Sequence, residues 1–122
     1  MKNLKLGGIH SWTEETNKVK ILNNIICYNH YGIVCVGADA SNIIEGNTIE
    51  NSKGPGIKIG IANKSSIIRN IITKNFVGIE VIAADPLIFN NQIDKNNSFG
   101  VFTRNYEDNN KILRCDGKIK TN

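Results

Sequence analysis

Seven residues after each of five regularly spaced glycines stands an acidic residue or its amide: Glu15, Asp39, Asn63, Asp85 and Glu107. If these positions stack in successive turns of one architecture, carboxylates line up about 4.8 Å apart. Two chemistries use such a column. Clustered carboxylates supply hard oxygen ligands for calcium. A close pair of them can divide into acid and nucleophile or base, as in retaining glycoside hydrolysis. Against both, Asn63 separates Asp39 from Asp85, and the flanking Lys and Arg follow no catalytic pattern. Asp and Asn are also ordinary turn formers. The acids are therefore read as turn chemistry. No catalytic residue, cofactor-binding residue, cofactor or metal site is expected.

The remaining reactive side chains point the same way. Cys27, Cys35 and Cys115 are odd in number and lack metal-ligand spacing, which argues against a disulfide framework and a zinc site. Buried reduced thiols are expected. His10 and His30 stand near no nucleophile, and Trp12 is expected to pack on the stack rather than anchor a partner. Two Asn-x-Ser sequons, at Asn63 and within Asn96-Asn97-Ser98, are what chance gives in a chain so rich in Asn.

The positioning elements are short and periodic. Gly8, Gly32, Gly56, Gly78 and Gly100 recur at spacings of 24, 24, 22 and 22 residues. Asn24, Asn47, Asn70, Asn91 and then Cys115 recur at 23, 23, 21 and 24. A fixed period in this range means a stacked solenoid. Each copy carries runs of three to five β-branched residues bounded by Asn and Gly, which is strand chemistry. No run has the i, i+3, i+4, i+7 spacing of a helix. About three strands per coil predict an all-β fold, a right-handed parallel β-helix of four to five coils. The repeats run roughly 8–31, 32–55, 56–77, 78–99 and 100–122 of a single module, 1–122. Asn24, Asn47, Asn70 and Asn91 are expected to form a hydrogen-bonded ladder, with Asn adopting the left-handed conformation at one corner and the repeat Gly at the next.

The coil pattern resembles the right-handed parallel β-helix repeat family over roughly residues 8–115. It looks most like the β-helix region of F-box only protein 11 and its relatives. Gly37-Ala38-Asp39-Ala40 and Ala84-Asp85-Pro86-Leu87-Ile88-Phe89-Asn90-Asn91-Gln92-Ile93 carry the likeness. The resemblance implies fold more than function, because the same repeat serves lyases, hydrolases, phage tailspikes and scaffolds.

Strand alternation then separates core from surface. In Gly-Ile-x-apolar the x residue faces outward, giving a column of His10, Val34, Lys58, Glu80 and Phe102 that reads as plain surface. A Lys58–Glu80 ion pair across adjacent coils is expected. In another strand Ile21, Ile44, Ile67, Ile88 and Ile112 fill one position. If these are inside, Leu22, Ile68, Phe89 and Leu113 form an outward apolar stripe interrupted by Glu45. Such a stripe suggests a protein contact, unless a loop covers it.

The composition bounds the partners. The chain has 122 residues, a formal charge of +4 and a pI of about 9.0, with 15 scattered Lys and Arg. This falls short of a nucleic-acid footprint, and no apolar run reaches the ~20 residues that span a bilayer. No signal peptide is visible, so a cytoplasmic setting is expected. The excess of Ile, Asn and Lys fits an AT-rich genome, with a cytoskeletal or ciliary assembly as one setting. No terminal cap is visible, so the chain is expected to be a piece of a longer solenoid or to have its open ends covered by partner chains. The reading favoured is a non-enzymatic scaffold or protein-interaction module. The alternatives are a carbohydrate-binding or carbohydrate-active β-helix and a ubiquitin-ligase substrate-recognition module.

Overall fold

The computed structural model describes residues 7–12, 18–37, 41–61 and 63–104, and the backbone of 112–113 and 119–121. Its strands are β1 (Ile9–Trp12), β2 (Lys20–Leu22), β3 (Ile25–Cys27), β4 (Ile33–Val36), β5 (Ile43–Glu45), β6 (Thr48–Glu50), β7 (Pro55–Gly60), β8 (Ser66–Ile68), β9 (Ile71–Thr73), β10 (Val77–Ile82), β11 (Leu87–Phe89), β12 (Gln92–Asp94), β13 (Phe99–Arg104), β14 (Ile112–Leu113) and β15 (Ile119–Thr121). Every third strand from β1 to β14 joins the same sheet, and β15 then pairs with β13. Sheet A runs β1-β4-β7-β10-β13-β15, sheet B runs β2-β5-β8-β11-β14, and sheet C runs β3-β6-β9-β12. All pairings are parallel. Three parallel sheets wound from successive strands form a β-solenoid, so the architecture is the one expected from the period.

Identical side chains stack in the core. Ile21, Ile44, Ile67 and Ile88 line sheet B, and Ile26, Ile49, Ile72 and Ile93 line sheet C. Sheet A contributes two columns, Ile33-Ile57-Ile79-Val101 and Cys35-Ile59-Val81-Thr103. β-Branched side chains suit this because they are stiff at χ1 and pack column on column. Each fully buried Ile is worth about 1.5–3 kcal/mol of transfer free energy.

The corners differ from the expectation. The left-handed residue is the one before each ladder Asn: Asn23, Gly46, Arg69 and Asn90. A second corner repeats this with Tyr28, Asn51, Lys74 and Lys95, and a third with Gly37, Ile61 and Ala83. The repeat glycines have no left-handed φ. They are held to glycine by crowding between coils: a Cβ on Gly32 would stand 2.3 Å from the Gly56 carbonyl oxygen and 2.5 Å from Ile49 Cγ2. Gly78 meets Gly100 O and Ile93 Cγ2 in the same way, at 2.4 and 2.7 Å.

Ile61 is the costly member of the third corner. A β-branched residue at φ 55° is an outlier, and its side chain is 57% exposed, so little packing offsets the strain. The Ile61→Asn variant is expected to gain about 1 kcal/mol, seen as a rise in Tm of a few degrees by thermal circular dichroism.

Candidate functional site

The ladder asparagines are structural, and their geometry shows why. At each first corner the backbone N–H of one Asn donates to the side-chain oxygen of the Asn in the next coil. Asn24 N reaches Asn47 Oδ1 at 2.9 Å, Asn47 N reaches Asn70 Oδ1 at 2.9 Å, and Asn70 N reaches Asn91 Oδ1 at 2.9 Å. The Nδ2 groups continue the chain: Asn47 Nδ2 donates to Asn70 Oδ1 at 3.0 Å and back to Ile21 O at 2.9 Å. Asn70 Nδ2 does the same with Asn91 Oδ1 and Ile44 O, both at 3.0 Å. Asn47, Asn70 and Asn91 are buried, and each satisfies backbone groups that the corner removes from the sheets.

A second ladder was missed from the sequence. Ser52 N donates to Asn75 Oδ1 at 3.0 Å, and Asn75 N to Asn96 Oδ1 at 2.9 Å. Its signal was present: Asn29, Asn75 and Asn96 stand five residues after ladder members, with Ser52 in the remaining copy. The sequon asparagines are committed to structure as well. Asn63 is fully buried and accepts from Ser65 N at 3.0 Å, and Asn96 Nδ2 donates to Ile72 O at 3.1 Å.

Of the acidic positions only Asn63 and Asp85 are described, and they are one place out of step. Glu15, Asp39 and Glu107 lie outside the described residues. Asp85 N donates to Asn63 O at 3.0 Å, the same offset by which Leu87 N bonds Ser65 O, so Asp85 sits level with Lys64 and not with Asn63. The cause is the turn between sheets A and B. Over the first four coils it shortens by one residue each time, from Gly8–Lys20 to Gly32–Ile43, Gly56–Ser66 and Gly78–Leu87. A fixed count from the glycine therefore slips by one place across each of these four coils. Among the described residues no three His, Cys, Asp or Glu side chains are grouped to hold a metal, and no helix is long and apolar enough to cross a membrane.

The outward column of sheet A is in register, His10–Val34–Lys58–Glu80–Phe102. Lys58 Nζ lies 3.8 Å from Glu80 Oε1 and 5.6 Å from the Tyr31 ring centre. A partly exposed pair of this kind is worth about 0.2–1 kcal/mol. Phe102 is flanked by Phe99 and the Arg104 guanidinium at 5.9 and 5.8 Å. Val34 departs from the expected surface position. It is only 7% exposed, and a Cβ placed on Gly7 would stand 3.7 Å from Val34 Cγ2. Trp12 departs in the other direction: it is 65% exposed rather than packed on the stack, 6.3 Å from the His10 ring.

Sheet B brings the apolar stripe together. Leu22, Glu45, Ile68, Phe89 and Leu113 are neighbours in register, with Ile21, Ile44, Ile67 and Ile88 beneath them. Leu22 is 42% exposed, and Ile68 and Phe89 are half-buried; the Leu113 side chain lies outside the described residues. Arg69 ion-pairs with Glu45, which neutralises the one charge in the stripe. A parallel outward column was not foreseen. Lys20, Ile43, Ser66 and Leu87 also face out, because they too flank the inward Ile, and Ile43 and Leu87 extend the apolar surface. Alternation alone would have found it.

Of the cysteines, Cys27 is half-buried and Cys35 buried, both as free thiols; Cys115 lies outside the described residues. Burial pushes the Cys35 thiol up from 9.0 to about 11, with the Asn42 amide pulling the other way.

The description "Right handed beta helix region" belongs to the family whose model matches residues 7–118. No curated protein and no solved structure matches.

Removing one rung of the first ladder should be expensive. Asn70→Ala strips partners from Asn47 and from the Ile44 carbonyl in a buried corner, and about 2–4 kcal/mol of stability is expected to go. Asn24→Ala, at the half-exposed end of the ladder, should lose about 1 kcal/mol; urea unfolding of the two variants checks the contrast. Cys35 gives a pH dependence. Its folded pKa is raised, so the native state holds the proton longer than the unfolded chain. Stability is then full below about pH 9 and falls as pH rises towards about 11. The Cys35→Ala variant is expected to flatten that slope, read from unfolding curves at a series of pH values.

Proposed function

We propose, for a chain that belongs to the right-handed β-helix family, a non-enzymatic role: a scaffold or interaction module that docks other proteins on the outer face of sheet B. The observation that carries this reading is the outward surface formed by Leu22, Ile43, Ile68, Leu87 and Phe89, whose one acid is paired with Arg69. A contiguous apolar surface on a rigid sheet, rimmed by polar corners, is what a protein contact buries. The column on sheet A is poorer in this respect, since its central members are an ion pair.

Two finer readings belong with this proposal. The coil likeness to F-box only protein 11 would make the docked protein a substrate of a ubiquitin ligase. A large cytoplasmic assembly, cytoskeletal or ciliary, is the setting that the composition suggests. Partners other than proteins, namely nucleic acid and membrane, form no part of the proposal, and neither does a cofactor.

The test is affinity purification of the full chain from its native source beside an Ile68→Asp/Phe89→Asp variant. Both substituted side chains are outward and half-buried, so the variant should keep its circular dichroism spectrum. Proteins that co-purify with the parent chain are expected to fall at least tenfold with the variant. An unchanged set overturns sheet B as the contact. Retention of the parent chain on immobilised acidic polysaccharide, or turnover of it, would favour the carbohydrate alternative.

A further inference from the structure

Sheet C stops one coil before its neighbours. Sheet B continues from β11 to β14 and sheet A from β13 to β15, but among the described residues β12 is the outermost strand of sheet C. Chain length is the reason. In four coils, ten or eleven residues (23–32, 46–56, 69–78 and 90–100) lead from the sheet B strand to the in-register Ile33, Ile57, Ile79 and Val101 of sheet A. In the last, five residues (114–118) separate Leu113 from Ile119. The shortfall matches a three-residue strand and a corner.

The edge so left presents unpaired groups. Gln92 N bonds Asn70 O at 2.9 Å, so Gln92 and Asp94 turn their backbone groups down to β9. By alternation the Ile93 N–H and C=O and the Lys95 N–H face the other way, as Tyr28 N does when it bonds Glu50 O at 3.2 Å one coil up. The corner beyond β12 repeats this. Asn75 O accepts from Asn97 N at 2.8 Å, and Asn75 N reaches Asn96 Oδ1 at 2.9 Å. Among the described residues nothing takes the Asn96 N–H or C=O in turn, and Asn96 is half-buried where Asn29 and Asn75 are buried. Asp94 Oδ1 is shielded from solvent and has no hydrogen-bond partner. A cavity of about 230 Å³ borders the edge, lined by Ile93, Asp94, Lys95, Asn96, Ser98 and others.

An open strand edge is a template for one more strand. We propose that β12 receives an extended segment of a partner protein as an added parallel strand, in which an aliphatic residue is followed by a basic one. The register of the sheet sets both choices. The inward column Ile26-Ile49-Ile72-Ile93 continues with an aliphatic side chain at the cavity. The outward column Cys27-Glu50-Thr73-Asp94 continues with Lys or Arg, about 4.8 Å above Asp94. The shielded Asp94 oxygen then gains a charge-assisted hydrogen bond, and an acid at the same place is repelled. An Asn two residues after the basic one accepts from Asn96 N–H, as Asn96 does from Asn75. This contact lies on a different sheet from the apolar surface of sheet B, so its failure leaves the protein-docking reading untouched, and the reverse holds too.

The experiment is fluorescence anisotropy of a labelled, end-capped peptide, Gly-Thr-Ile-Lys-Asn-Asn, titrated with the full chain. Saturable binding is expected. Methylation of the peptide's Lys backbone nitrogen removes the bond to Ile93 O and is expected to weaken binding roughly tenfold or more. A peptide with Glu in place of Lys is expected to bind as poorly. Asp94→Lys is expected to reverse the preference, so that the Glu peptide binds better than the Lys peptide. The sheet B variant Ile68→Asp/Phe89→Asp is expected to bind the Lys peptide as the parent chain does. Circular dichroism confirms that each variant is folded, and the comparison of methylated with unmethylated peptide needs no variant. Absence of binding at about 1 mM chain overturns the proposal. So does binding indifferent to the methyl group, an unchanged preference in folded Asp94→Lys, or loss of binding in the sheet B variant.

Discussion

Each first corner of a coil carries a backbone N–H that has left its sheet, and a buried asparagine in the next coil supplies the missing acceptor. The pairs Asn24–Asn47, Asn47–Asn70 and Asn70–Asn91 repeat this contact in the same geometry. An unpaired buried amide costs as much as a lost hydrogen bond, so the corner is stable only when the neighbouring coil is in place. That makes stacking obligatory. It also fixes register, since a slip of one residue would carry every amide away from its partner and turn every Ile outward. The second ladder, through Ser52, Asn75 and Asn96, locks the other side of sheet C in the same way.

Where the ladders stop, the constraint stops. Sheets B and C lie next to laddered corners, and their strands from β2 to β12 all keep a length of three residues. Among the described residues the turn from sheet A to sheet B shows no such ladder running through every coil, and over the first four coils it loses one residue per coil. The coil can therefore change length without disturbing the core, as a surface connection generally can. The acidic positions fall in that turn. No aligned carboxylate column forms across Asn63 and Asp85, because the backbone beneath them is not in step.

The three outer faces follow from one alternation but differ in chemistry. Sheet A presents an ion pair and aromatic–cation contacts, sheet B an apolar surface with an internally paired charge, and sheet C a column in which Ile25 and Ile71 alternate with Thr48 and Gln92. The solenoid fold is indifferent to these choices, since outward side chains do not touch the core. This freedom is why one repeat supports many functions and why function must be argued from the face and not from the fold.

Sequence alone determined the solenoid, the parallel stacking of strands and the identity of the inward isoleucines. Each of these is local chemistry repeated at a fixed period, so one copy reinforces the next. It also placed Leu22, Ile68 and Phe89 on one outward line. The tertiary structure decided what the period could not. Left-handed φ falls on Arg69, Lys74 and Ile61, residue types that give no local sign of it, because the closed coil imposes the corner. The repeat glycines answer to crowding by the next coil, and not to their own torsions. Val34 is buried although it faces outward by alternation, and Trp12 is left exposed. The offset between Asn63 and Asp85 came from turn lengths that only the pairing of strands reveals. Contacts between coils join residues more than twenty positions apart, and their register depends on every turn between them.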